Sequence, residues 1–139
     1  MPIQWREQMS VGITEVDADH QHLIGIINEF EGAARRGAGQ VDEGNMRAIL
    51  GKLQRYTRDH FAREEKMQEA AGYDGLAENR SQHGALLARL HTLVVQYTEG
   101  KLGATTEATE VVTSFLNRWL VDHILKTDLK MRGRVSPKP

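Results

Sequence analysis

A chain of 139 residues without cysteine is long enough for one domain with its own core. The missing thiols exclude disulfides, zinc–thiolate sites, iron–sulfur clusters and cysteine nucleophiles. Its 18 basic and 19 acidic residues leave a formal net charge of −1, which gives no electrostatic reason to expect nucleic acid as a partner.

No segment approaches the roughly 18 consecutive apolar residues of a membrane span. The start, Met1-Pro-Ile-Gln-Trp-Arg-Glu7, lacks the basic and apolar regions of a signal peptide. The expectation is a soluble, cytoplasmic chain with no membrane partner. Its prolines stand at positions 2, 137 and 139, so nothing breaks a helix in between.

Residues 1–16 read as a non-helical arm whose Trp5, Met9, Val11 and Ile13 pack over one side of the domain. Four segments then carry apolar residues at helical spacing. The first, about 18–36, aligns Leu23, Ile27, Phe30 and Ala34 and stops at Gly37-Ala-Gly39. The second, about 42–70, aligns Met46, Ile49, Leu53, Tyr56 and Met67, with Asp42 as N-cap. The third, about 79–99, aligns Leu86, Leu90, Leu93 and Tyr97 and ends at Gly100. The fourth, about 106–125, aligns Val112, Phe115 and Trp119, with Thr106 as cap. Short connections between four amphipathic helices predict one all-α domain, an antiparallel up-down four-helix bundle.

The residues that interrupt these stripes carry the chemistry. His20 shares the face of Leu23 and Ile27, and His60 and Glu64 continue the second stripe before Met67 resumes it. His83 lies one step before Leu86 and Leu90, and His123 extends Val112–Phe115–Trp119. A single histidine on an apolar face is usually a satisfied core residue. One imidazole from each of four helices, with a carboxylate at i, i+4 from His60, is different. So many inward ionisable groups would destabilise the core without a cation. Imidazole and carboxylate suit iron, manganese or zinc, and bundle cores hold metal pairs in this way.

Asp128 is less legible. It follows His123 by five residues, which at ~100° per residue places it about 140° away on a regular helix. It reaches the same metal only if the helix ends or unwinds; otherwise it is a surface aspartate. His22 points away from the face of His20. His91 lies about 12 Å along the axis from His83 at 1.5 Å per residue, and neither receives a role.

Trp5, Met9-Ser-Val-Gly-Ile13, Asp17-Ala-Asp-His20, His60-Phe-Ala-Arg-Glu64-Glu-Lys-Met67 and Trp119-Leu-Val-Asp-His123-Ile-Leu-Lys-Thr-Asp128 together resemble the bacterial hemerythrins over nearly the whole chain. The resemblance implies two iron ions with a bridging oxo or hydroxo group from solvent. His20 and His60 would hold one iron, His83 and His123 the other, with Glu64 and Asp128 as bridges. It further implies that O2 binds end-on at one iron as hydroperoxide, beside a dry pocket of Phe61, Trp119, Leu120 and Ile124. The implied role is O2 storage, delivery or sensing by a monomer that is not an enzyme, sensing requiring a separate protein partner.

One position departs from the family pattern, which has a second histidine four residues before His83. Here Asn79 stands there. Three readings remain open: ligation by the amide or by water in its place, substitution by Glu78, or an N-cap role in an Asn79-x-x-Gln82 capping box. A site opened at Asn79 supports the alternative of an oxidase-like, peroxidase-like or NO-reactive enzyme. A helical binding module with a purely structural metal is the third.

Overall fold

A computed structural model describes residues 3–37, 39, 41, 43–98, 106–119, 123 and 127–135. Four α-helices run in chain order: α1 (Thr14–Arg36), α2 (Glu43–Ala71), α3 (Leu76–Thr98) and α4 (Thr106–Trp119). Short 3₁₀ turns lie at Glu7–Met9 and Asp128–Met131, and the described residues contain no strand. The result is an all-α four-helix bundle in which α2 packs on α1 and α3, and α4 packs on α1. Among the described residues, no helix is long and apolar enough to cross a membrane.

The expected stripes form the core. Leu23, Ile27 and Phe30 from α1 meet Met46, Ile49, Leu50 and Leu53 from α2, Leu90 from α3, and Val112, Leu116 and Trp119 from α4. Burying such side chains stabilises the bundle by about 1.5–3 kcal/mol each. A second cluster of Val11, Ile13, Val16, Tyr73, Met131 and Val135 closes one end. There the arm, the α2–α3 turn and the C-terminal turns meet.

The arm differs from its expected extent, because α1 begins at Thr14 rather than near 18. Asp17, in the first turn, explains the early start. Its carboxylate accepts hydrogen bonds from Ser10 Oγ at 2.5 Å and the Val11 amide at 2.9 Å, and an acid there also suits the helix dipole. Further out, the Ile3 amide donates to Asn28 Oδ1 and Asn28 Nδ2 donates to the Ile3 carbonyl, both at 2.8 Å. These bonds lay the arm along α1, where Trp5 and Met9 pack on the main core and Val11 and Ile13 on the end cluster.

Helix α3 also begins early, at Leu76 instead of Asn79. The cause is the tight turn after α2. Gly72 takes φ +66°, a left-handed conformation that costs other residues a Cβ clash. The Tyr73 amide then donates to the Gln68 carbonyl at 2.9 Å, and the Asn79 amide to the Gly75 carbonyl at 3.0 Å. Asp42, proposed as the N-cap of α2, lies outside the described residues, as does position 125, the expected end of the last helix.

Gly75 is fixed by a close approach: a Cβ there would fall 2.6 Å from Cε2 of Tyr73, which is buried in the end cluster. Gly75→Ala is expected to destabilise the fold by about 1–3 kcal/mol through this overpacking. Urea unfolding of the two proteins checks it, and an unchanged midpoint would refute the close approach.

Candidate metal centre

Helices α1, α2 and α3 and the segment after α4 deliver the interrupting residues to one buried place. His20 comes from α1, His60 and Glu64 from α2, and His83 from α3, with His123 and Asp128 from the segment after α4. All six side chains are buried. His60 and Glu64 project from one face because they are a helical turn apart. Asp128 joins by a change of winding. His123 and Thr127 carry the wider turn of a π-helix, and the 3₁₀ turn then begins at Asp128. Such turns are rare and favour functional positions. This one brings Asp128 Oδ1 to 3.1 Å from His123 Nε2.

The donor atoms form two overlapping groups: His20, His60, Glu64 and Asp128, and Glu64, His83, His123 and Asp128, each with ligand atoms within 4.8 Å of one another. Both groups share the two carboxylates, and each carboxylate divides its oxygens between them. Glu64 Oε2 lies 3.1 Å from His60 Nε2 and 3.7 Å from His20 Nε2, while Oε1 lies 3.4 Å from His83 Nε2. Asp128 Oδ2 lies 2.9 Å from His20 Nε2, and Oδ1 faces His123.

His83 Nε2 and His123 Nε2 pair at 3.1 Å, but most of the other donor atoms are close without being hydrogen-bonded. His20 Nε2, His60 Nε2, Glu64 Oε2 and both Asp128 oxygens are buried and lack a hydrogen-bond partner. Leaving such groups unpaired costs about 1–3 kcal/mol each. Nitrogens and oxygens about 3 Å apart whose lone pairs miss one another describe the edges of a coordination shell with bonds of ~2.1 Å. The donor set therefore fits two cations bridged by carboxylates.

The electrostatics agree. Burial alone would lower the pKa of His20, yet Asp128 and Glu64 raise it to about 9. Burial would likewise raise that of Glu64, but the His20, His60 and His83 rings gathered around it hold it well below the usual carboxylate range. Without a metal, protons supply the positive charge that the carboxylates demand.

A second ring orients the imidazoles. His60 Nδ1 lies 2.9 Å from Asp19 Oδ2. Asp19 is itself held by the Tyr56 hydroxyl at 2.7 Å and by Arg63 through bonds of 3.1 and 2.8 Å. Burial would raise the Asp19 pKa, but these donors hold it below the ordinary carboxylate range. On the other side His83 Nδ1 lies 2.8 Å from Glu65 Oε2, and Arg80 Nε donates to Glu65 at 3.2 Å. Carboxylates on Nδ1 fix the tautomer that turns the Nε2 lone pair inward. Sequence reasoning assigned no role to Asp19, Glu65, Arg63 or Arg80, and took Tyr56 only as part of the apolar stripe. Tyr56, His60 and Arg63 do recur at i, i+4 and i+7, which marks one edge of α2, but their shared partner lies on another helix.

Phe61 stacks on His83 with ring centroids 3.7 Å apart and planes at 4°. Trp119 lies parallel to His123 at 6.4 Å. Leu120 and Ile124 lie outside the described residues. A groove of about 680 Å³ between α3 and α4 is lined by Leu86, Phe115 and Trp119 among others. His22 is exposed and stacks on Tyr56, and His91 pairs with Gln54 at 3.3 Å; neither joins the cluster.

Asn79 is buried on the same face as His83. The capping reading is corrected here. Asn79 is the fourth residue of α3, and its side chain turns to the centre, with Nδ2 donating to Glu64 Oε1 at 3.0 Å. Glu78 is exposed, accepts from Gln82 at 3.4 Å, and stays outside both donor groups.

Known proteins share these features. The family model for the hemerythrin HHE cation binding domain matches residues 11–135. A bacteriohemerythrin of Stenotrophomonas maltophilia is 24% identical over 132 residues, covering 95% of this chain and 80% of that protein. A myohemerythrin of Riftia pachyptila is 27% identical over 134 residues, covering 96% of this chain and 94% of that one. A solved wild-type hemerythrin superposes with a TM-score of 0.81 at 21% identity, over 96% of this chain and 98% of that one, so the fold is shared. With the family match running from the arm to the last described turn, the chain belongs to the hemerythrin HHE cation-binding domain family.

Proposed function

We propose that this chain is a non-heme di-iron protein that binds O2 for storage, delivery or sensing. The supporting observation is that two donor groups share Glu64 and Asp128, each carboxylate turning one oxygen to either group. His20 and His60 would hold one iron and His83 and His123 the other. When bound, a ferrous pair supplies the two electrons that O2 takes up at such a centre.

The chain's own residues do the rest. Asp19 and Glu65 hold His60 and His83 in the tautomer that offers Nε2 inward. Phe61 and Trp119 cover the imidazoles of the second group and limit water. The groove that Trp119 helps to line offers a small apolar molecule an approach. A second reading, oxidase-like, peroxidase-like or NO-reactive chemistry, is favoured by Asn79, which brings an amide where the family pattern has an imidazole.

Anaerobic loading with Fe(II) is expected to give two irons per chain, with a visible absorption band that forms under O2 and disappears under vacuum. Irreversible bleaching would move the assignment to the enzyme reading. One iron or none would refute the paired site. His60→Ala, which removes one ligand together with its link to Asp19, is expected to weaken metal binding by at least about tenfold.

Binding should also be linked to pH. The His20 ring, with its pKa raised to about 9, carries a proton at pH 7 that a metal must displace. Metal loading at pH 7 is therefore expected to release a proton, and apparent affinity to rise with pH by about tenfold per unit for each proton released. The rise levels off once pH passes the raised pKa values of His20 and His60, which burial lowers but their carboxylate partners raise. Zn(II) titrations in buffers of different ionisation enthalpy measure the release, and pH-independent binding would contradict it.

A further inference from the structure

The centre has an approximate two-fold pattern. His20 and His60 face one oxygen of each bridge, and His83 and His123 face the other. One histidine of each pair is backed by a carboxylate that an arginine holds: His60 by Asp19 and Arg63, His83 by Glu65 and Arg80. Asn79 breaks the pattern. Its Nδ2 donates to Glu64 Oε1, the oxygen that also faces His83, whereas Glu64 Oε2 has no hydrogen-bond partner.

We infer that Asn79 is a positioning residue that holds Glu64 and is not a metal ligand, and that it makes the two metal positions unequal, the His20–His60 position filling before the His83–His123 position. The inference rests on the di-metal reading proposed above. An N–H donor on Oε1 competes with a metal for that oxygen's electrons, and Oε2 suffers no such competition. The amide is held in this sense by its neighbour. Turned over, it would set Oδ1 against Oε1, two acceptors at hydrogen-bond distance with no proton between them.

The backbone imposes no rival duty on the side chain, because the Asn79 amide is already bonded to the Gly75 carbonyl. The other amide atom, Oδ1, is buried and has no hydrogen-bond partner. It is free to accept from a water or small protic ligand on the second metal. That metal, with two imidazoles and two bridging oxygens from the chain, keeps an exchangeable position that a further histidine would close.

Cobalt(II) titration of the metal-free protein tests this, with calorimetry for affinity, cobalt absorption for coordination, and Trp119 fluorescence for position. Trp119 lies parallel to His123 at 6.4 Å, so in a Trp5→Phe background, which leaves it the one tryptophan, its quenching is expected to be stronger when the second position fills. Wild type is expected to bind two equivalents in two steps that differ by about tenfold or more, the scale on which partners of a ligand tune affinity, with Trp119 quenched more strongly in the second. In Asn79→Ala the steps should draw together while the second-step cobalt spectrum keeps its wild-type form. Asn79→His should tighten the second step about tenfold or more by adding an imidazole. Thermal midpoints of the metal-free variants check that each is folded.

Two equal steps in wild type, stronger quenching with the first equivalent, or loss of the second cobalt in Asn79→Ala would each overturn the inference and leave the di-metal reading standing. Failure of wild type to take up any cobalt would bring down both.

Discussion

Two carboxylates buried among four imidazoles are the constraint around which this bundle is built. Glu64 and Asp128 have no exposure to water, and a buried carboxylate is tolerated only with compensating charge or donors. The helices meet that demand by bringing His20, His60, His83 and His123 to the same place. Without metal, protons compensate, which is why the His20 ring holds its proton so firmly. On the di-metal reading proposed above, a cation would compete with these protons for one set of lone pairs.

The surrounding apolar core gives the competition its strength. Leu23, Phe30, Leu53, Phe61 and Leu116 are nearly inaccessible, so little water screens the charges and their interactions are stronger than at the surface. The second ring of polar residues lies further out. Arg63 and Arg80 are about half exposed, and their contacts with Asp19 and Glu65 contribute orientation more than stability. Charged groups at the edge thus aim the imidazoles at the middle, and Phe61 and Trp119 close one flank.

Asn79 links the turn, the helix and the centre. Gly72 and Gly75 shape a turn tight enough to start α3 at Leu76, and that early start places Asn79 inside the helix, facing Glu64. Had α3 begun at Asn79, its side chain would have served the backbone as a cap. A local matter of turn chemistry therefore decides whether a polar side chain serves the helix or the buried cluster around Glu64.

The bundle and most of the centre were legible in the sequence. Helical periodicity is a local property, and a histidine that interrupts an apolar stripe must point where the stripe points. His20, His60, Glu64, His83 and His123 could be read in that way, and the family pattern supplied the expectation for Asp128. Tertiary structure alone decided the rest, for one physical reason: partners on different helices share no sequence spacing. It took the fold to show Asp19 backing His60 across 41 positions and Glu65 backing His83 across 18. Regular 3.6-residue geometry pointed Asp128 away from His123, and only the wider turn at His123 and Thr127 brings it back. Spacing identified Asn79 as the odd residue, but whether it caps, ligates or holds Glu64 depended on where α2 lay beside it.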